Sequence, residues 1–263
     1  MIVIDQMGIS VEIPDRPQRI VSLVPSQTEL LFDLGLQEQI VGLTKFCVHP
    51  EALVQQATII GGTKNFKFEV IERLQPDLIV GNKEENYLEG IERLKRDYPV
   101  WMSDIENLPQ ALEMMQQVGT ITRRSNQARE LAVAIEQSWQ QLLMVDGLRC
   151  AYLIWREPYM SVGQGTFIDD VLTRAGYHNV FKDLPRYPEI SIETMRAQAL
   201  DVLMLSSEPY PFADQHIKEL QQSLPDTRIV LVDGEMFSWY GSRLLKSTAY
   251  LNDLAKRISI SDC

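Results

Sequence analysis

The sequence predicts an α/β protein of two Rossmann-like lobes joined by one long rigid helix, and three observations predict it. First, one phrase occurs twice. Glu69-Val-Ile-Glu-Arg-Leu-Gln-Pro-Asp77 runs into Leu78-Ile-Val80, and Glu193-Thr-Met-Arg-Ala-Gln-Ala-Leu-Asp201 runs into Val202-Leu-Met-Leu205. In each copy a glutamate stands eight residues before an aspartate that opens an apolar run. Second, short apolar runs alternate with helix-period segments, the pattern of parallel α/β packing. Third, Ala128, Leu131, Ala132, Ile135, Trp139, Leu142 and Leu143 recur at helical spacing in a proline-free stretch. The third observation gives a helix over 124–145, roughly 30 Å long from its rise per residue, a candidate rigid connector or an ordinary crossover helix, the two not being exclusive. The domain reading is therefore a first lobe over 1–118, a connecting helix over 119–147 and a second lobe over 148–263. Two lobes imply a cleft, where small ligands usually bind.

The elements follow in order. Residues 2–13 alternate around Gly8 and read as a hairpin. Arg19-Ile-Val-Ser-Leu-Val24 reads as a strand, and Ser26 as the cap of the next helix, with Glu29 as its box partner. Gly35 stops that helix. Strand 40–43, helix 68–75, strand 77–81, helix 84–96 and strand 100–102 complete the first lobe. The second opens with strand 149–155. Gly163-Gln-Gly165 lacks the third glycine of a dinucleotide fingerprint and reads as a turn before a helix from Thr166 to Ala175. Ser191 caps helix 192–199. Strands 201–206 and 228–232 follow, and a last helix runs from Arg243 to Ile258.

Composition excludes several classes. The formal charge of −11 over 263 residues disfavours a nucleic-acid binder, which shows a basic face. Cys47, Cys150 and the terminal Cys263, expected to be frayed, make no CxxC pair and no metal spacing. No segment is long and apolar enough to span a membrane. Met1-Ile-Val-Ile-Asp-Gln-Met7 has no leader pattern, so the expectation is a cytoplasmic protein or a mature form whose leader has been removed. Nucleophile elbow, zincin and Walker motifs are absent, and His49, His178 and His216 are too scattered for a metal site. His49 with Cys47 reads as an isolated surface pair. These absences argue against an enzyme, and no metal site or cofactor is expected.

Aromatic residues and arginines gather in loops of the second lobe. They are Trp155-Arg156-Glu157-Pro158-Tyr159, Arg186-Tyr187, Tyr210 with Phe212, and Phe237-Ser-Trp239-Tyr240-Gly-Ser-Arg243. Each group lies at a strand end or before a helix, where open α/β sheets take ligands. Aromatic faces suit a flat, polarisable ligand, and arginines stack or grip carboxylates. The first lobe offers Phe46 and the loop Gly61-Gly-Thr63-Lys-Asn-Phe66. Glu69 and Glu193 each open a helix, where the dipole favours a carboxylate. The apolar faces made by Val70, Ile71 and Leu74, and by Ile192, Met195 and Ala199, point both glutamates outward. Two exposed carboxylates at equivalent places suit two arginines of a partner.

Asp5-Gln-Met-Gly8, Val11-Glu-Ile-Pro14 and Pro17-Gln-Arg19-Ile-Val-Ser-Leu-Val-Pro-Ser26, followed by Thr28-Glu29, resemble the opening of the cobalamin and iron–siderophore substrate-binding proteins of ABC importers. Gly61-Gly-Thr-Lys-Asn65, Leu74 to Ile79 and Asn82-Lys-Glu-Glu-Asn86 resemble that family too, over nearly the whole chain. The resemblance implies the helix-joined, class III periplasmic-binding-protein fold. It implies capture of a metal chelate, foremost a cobalamin-type corrinoid, in the interlobe cleft by a monomer that passes it to a permease. It places Phe46, Trp155 and Tyr187 where aromatic residues line the cleft, Glu235 to Trp239 in a ligand-facing loop, and Glu69 and Glu193 as permease-docking carboxylates. The expected ligand-binding set is Phe46, Thr63, Trp155, Arg156, Tyr159, Arg186, Tyr187, Tyr210, Phe237, Trp239, Tyr240 and Arg243. Thr63 stands where the vitamin B12 binder carries tryptophan, and Leu200 replaces the second proline of the Pro-Asp pair. Arg156, Arg186 and Arg243 leave a ferric siderophore or haem as the alternative ligand. A direct divalent-metal receptor and a cytoplasmic two-lobed enzyme are the further alternatives. The resemblance implies a periplasmic or extracytoplasmic location.

Overall fold

The structure, a computed structural model, describes residues 1–259, so the reading of Cys263 falls outside the described residues. The chain forms two compact units. The first holds Met1–Ile105, Pro109–Gln137 and Tyr240–Leu244; the second holds Glu106–Leu108, Ser138–Trp239 and the chain from Leu245 on.

The first unit opens with the hairpin expected over 2–13, in which β1 (Ile2–Ile4) pairs antiparallel with β2 (Ser10–Glu12). Then come β3 (Ile20–Ser22), α1 (Pro25–Asp33), β4 (Ile40–Leu43), α2 (Glu51–Val54), β5 (Thr58–Ile59), β6 (Gly61–Gly62), β7 (Asn65–Phe66) and α3 (Phe68–Leu74). After them come β8 (Leu78–Asn82), α4 (Leu88–Leu94), β9 (Val100–Ser103), α5 (Leu108–Ile121) and α6 (Ser125–Trp139). A parallel sheet runs β5-β4-β3-β8-β9, so the strand order reverses at β3. Its core joins Val21, Leu23, Ile71, Ile79, Ile91 and Val100. Fully burying each such side chain stabilises by about 1.5–3 kcal/mol.

The second unit contains β10 (Arg149–Leu153), α7 (Phe167–Arg174), β11 (His178–Asn179), α8 (Ile192–Ala197), β12 (Val202–Ser206), α9 (Asp214–Ser223), β13 (Arg228–Val232), α10 (Glu235–Ser238) and α11 (Leu244–Ser259). Its sheet is also parallel, in the order β11-β10-β12-β13. Every residue of β12 is buried, which is why its sequence reads as an unbroken apolar run.

The repeated phrase builds the same clamp in both units. Arg19 donates its backbone N–H to Asp77 Oδ1 (2.8 Å) and its Nε to the Leu74 carbonyl at the end of α3 (2.7 Å). Arg149 donates its backbone N–H to Asp201 Oδ2 (2.7 Å) and its Nε to the Gln198 carbonyl at the end of α8 (3.0 Å). Each aspartate returns a backbone N–H to its arginine's carbonyl, at 3.0 and 2.9 Å. The helix exits match as well. Gln75 and Ala199, each two residues before its aspartate, have left-handed φ of 46° and 47°. The helix-end carbonyls are thus satisfied by a strand-start arginine, which also complements the negative end of the helix dipole.

Four sequence expectations are corrected. Ser26 does not cap α1: Val24 is the N-cap with no side-chain bond, and Pro25, with its φ already helical, takes the first helical position. Glu29 is consequently a mid-helix residue rather than a box partner. The helix expected over 124–145 ends at Trp139, so it is about 22 Å long. Beyond it the Leu143 N–H is taken by Asn252 Oδ1 at 2.7 Å, and Leu143 and Met144 are exposed, so the apolar period outlives the helix. Before it, Arg123 has φ 59° and separates α6 from α5, a helix the sequence reading left unassigned. Gly119 is needed at that crossing, because a Cβ there would stand 2.3 Å from the Ala128 Cβ. Finally, the helix expected over 84–96 begins only at Leu88, since Asn82 Oδ1 captures the N–H groups of Glu84 and Glu85 in a side-chain turn.

Candidate functional site

In the second unit all four aromatic loops leave the carboxyl ends of parallel strands. The loop after β10 carries Trp155, Arg156 and Tyr159; that after β11 carries Arg186 and Tyr187; that after β12 carries Tyr210; that after β13 carries Phe237 and Trp239. Backbone bonds join the first three. Tyr210 N donates to the Ile154 carbonyl (3.3 Å), and Ile190 N donates to the Tyr159 carbonyl (2.9 Å). Trp155 is 41% exposed and meets Tyr210 edge-on, ring centroids 5.7 Å apart. Tyr210 rests in turn on Phe212 and His216, at 4.7 and 5.5 Å. His216 is buried and accepts the Ala213 N–H at Nδ1 (2.8 Å), which closes the start of α9. The result is an exposed indole on a packed aromatic base, a geometry suited to stacking on a flat ligand.

The arginines are engaged by carboxylates. Arg156 Nη2 lies 2.8 Å from Glu219 Oε2 and its Nε 3.6 Å from Glu157. Arg186 Nη1 donates to the Gly165 carbonyl (3.1 Å) and lies 3.7 Å from Glu106, its guanidinium 5.7 Å from the Tyr187 centroid. Arg243 is also in the expected ligand-binding set. It is buried in the first unit, where its Nε and Nη2 donate to the two oxygens of Glu29 at 2.7 and 3.0 Å. That forked pair satisfies both charges internally. Phe237, another of that set, is fully buried, packed on Tyr152 and Tyr250. Tyr240 is buried as well, and Trp239 is only 8% exposed.

Trp239 has its own support. Its Nε1 and the Ser238 hydroxyl both donate to Glu208 Oε1, at 2.9 Å each. Burial pushes the Glu208 carboxyl up, neighbouring Glu235 and Asp233 add to the rise, and the Ser238 and Trp239 donors oppose it. Tyr159 is likewise pushed up by burial, with Arg156 opposing.

In the first unit Phe46 is 49% exposed just beyond the carboxyl end of β4, its ring against Gly62, with Lys45 Nζ 4.9 Å from its centroid. A side chain at Gly62 would crowd that ring, its Cβ 3.2 Å from Phe46 Cε2. Thr63 is buried at the turn between β6 and β7, and its carbonyl accepts from Asn86 Nδ2 (3.2 Å). The hairpin depends on Gly61, at φ +112° with the Asn65 carbonyl 2.2 Å from where a Cβ would stand. Cys47, read as half of a surface pair, is buried instead. Thr28 and Thr44 hydroxyls lie 3.1 and 3.2 Å from its sulfur, and burial pushes its thiol up.

A profile of the periplasmic binding protein family matches residues 20–229. The chain belongs to that family. Among curated relatives, the vitamin B12-binding protein of Pectobacterium carotovorum is 25% identical over 238 residues, covering 87% of this chain and 85% of the relative. Among solved structures, the periplasmic vitamin B12 binding protein BtuF of Vibrio cholerae superposes with a TM-score of 0.79 at 18% identity, covering 94% of this chain and 99% of that one. The periplasmic heme-binding protein RhuT of Roseiflexus sp. RS-1 gives 0.78 at 22% identity, covering 92% and 97%. The fold is thus the two-lobed α/β architecture of these proteins.

As a periplasmic binding protein, this chain carries its two marked glutamates at matching positions. Glu69 and Glu193 are both the second helical residue, of α3 and α8, and both are exposed. Ser191 caps α8 as the sequence predicts, and the helix-start backbone with the Ser191 hydroxyl holds Glu193 below the usual carboxylate range. Sequence reasoning missed Glu208, His216 and Glu219. The loop 208–212 was noticed for its rings, but its glutamate was not, and the helix bearing His216 and Glu219 was not foreseen. Among the described residues no three His, Cys, Asp or Glu side chains gather as a metal-ligand set.

Proposed function

We propose that this protein is the solute-binding component of an ABC importer and that it captures a cobalamin-type corrinoid as a monomer outside the cytoplasm. Its part is binding rather than bond-making. One observation supports the choice of ligand: Arg156, Arg186 and Arg243, the groups that would grip an anionic chelate, are each held by a carboxylate of the protein itself. The exposed rings of the expected set are Trp155 and Phe46. Haem and many ferric siderophores carry carboxylates or other anionic groups that call for arginine. A corrinoid presents a broad ring edged with neutral amides. The curated relative from Pectobacterium is named for vitamin B12, which agrees. Glu69 and Glu193 are the proposed permease contacts, since both are exposed and equivalently placed.

Titration of the purified protein with cyanocobalamin, haemin and a ferric siderophore, followed by tryptophan emission, tests this reading. Saturable quenching by cyanocobalamin at micromolar or lower concentration is the expected result. Tight binding of haemin or the siderophore with none of cyanocobalamin overturns it.

A further inference from the structure

The second unit holds a charged group whose position serves neither core nor ion pair. Glu208 follows the carboxyl end of β12, in the loop that carries Tyr210. Its Cγ lies where a Cβ on Gly234 would stand, 2.5 Å away, so the bare glycine lets this side chain reach the loop after β13. There Oε1 takes both available donors, the Trp239 indole and the Ser238 hydroxyl. No protein donor to Oε2 is found among the described residues. No Lys or Arg neutralises Glu208 within ion-pair distance among the described residues. Its charged company is Asp233 and Glu235, which share its sign. A half-buried carboxylate in such surroundings is costly to keep ionised. A glutamine would fill the space and still accept both donors without that cost.

We propose that Glu208 is the charge-selecting residue of the site: its open oxygen accepts an N–H from a neutral, amide-bearing ligand, and its charge excludes ligands that bear carboxylates. This rests on the corrinoid reading above and narrows it to the chemistry of the ligand's rim. One carboxylate oxygen fixes the indole of Trp239 while the other faces the ligand, so aromatic contact and charge selection are set by one residue. Among the described residues none of the three arginines pairs with Glu208.

The test compares cyanocobalamin with the monocarboxylates made from it by mild acid hydrolysis of its propionamides, which differ by one negative charge. Wild-type protein is expected to bind cyanocobalamin at least about tenfold more tightly than the monocarboxylate that loses most, consistent with one uncompensated like charge at close range in a partly desolvated site. Glu208→Gln keeps an acceptor for Trp239 and Ser238 and removes the charge. It is expected to lower the ratio by about threefold or more. A ratio near one in the wild type overturns the inference without any variant. A ratio unchanged in a folded Glu208→Gln, checked by circular dichroism and melting, overturns it too. A wild type that binds no corrinoid at all removes the functional reading itself, an outcome distinct from binding without discrimination.

Discussion

Asp201 accepts the backbone N–H of Arg149 at 2.7 Å, and 124 residues earlier Asp77 does the same for Arg19 at 2.8 Å. The pair of clamps turns a faint sequence echo into a structural repeat: helix, left-handed exit, aspartate, buried strand. Asp77 holds one donor more, since Gln18 N also donates to it at 2.8 Å. Replacing Asp77 by Ala is therefore expected to cost more stability than Asp201→Ala. The penalties are about 2–3 and 1–2 kcal/mol, as charge-assisted bonds are lost at an edge. Urea unfolding checks the order; equal or negligible losses count against the clamp.

Trp155→Ala is expected to separate binding from folding. Its ring is largely outside the core, so melting shifts little. Affinity for cyanocobalamin is expected to fall by about 10- to 100-fold, the worth of one stacked aromatic anchor. Phe46→Ala tests the first unit in the same way. An unchanged affinity for both variants would remove the aromatic recognition surface from the argument.

Arg243 answers to stability. Arg243→Met leaves Glu29 buried without its partner, and a loss of about 3–5 kcal/mol is expected. Adding Glu29→Leu should restore much of it, because the desolvation cost goes with the charge. Guanidinium unfolding of the two singles and the double reads this cycle. A single variant within about 1 kcal/mol of wild type contradicts the pairing.

Glu208 gives a signed pH dependence. Its folded carboxyl sits above the unfolded value, so its contribution to stability is full below the ordinary glutamate range and is lost as pH rises through the raised value. Glu208→Gln should then melt above wild type at about pH 8, and the gap should close toward about pH 4. Scanning calorimetry across that range decides it, and a gap that widens on acidification reverses the sign.

Glu69→Lys and Glu193→Lys are expected to spare ligand titration and melting, because both side chains are exposed. Uptake of labelled cyanocobalamin in cells carrying the cognate transporter should fall with either variant and vanish with both. Full uptake by the double variant removes the docking assignment.

The central parallel strands were legible because burial on both faces writes them as apolar runs; Leu78–Asn82 and Val202–Ser206 are buried throughout and lie where the sequence puts them. The helix start at Ser191 was legible from capping chemistry, and its side chain accepts the expected N–H; Thr166 caps α7 as well, a role its sequence reading did not include. The stop at Trp139 was not, because it depends on Asn252, more than a hundred residues away. Helix α9 was missed because its buried face is narrow, His216 and Leu220 among polar neighbours. In the candidate site, residue types near strand ends were readable, but which ring is exposed and which is core was not. Phe237 and Trp155 look alike in sequence; one is packed beneath the sheet's loops and the other is not.

The bond between Glu29 and Arg243 joins residues 214 positions apart, and Arg243 lies in the five-residue stretch that returns to the first unit. During synthesis Arg243 leaves the ribosome 214 residues after Glu29. Until then Glu29 of α1 lacks the guanidinium that donates to both of its carboxylate oxygens. A chain cut short before residue 243 would lack that forked donor permanently, and a destabilisation of about 3–5 kcal/mol would fall on its first unit.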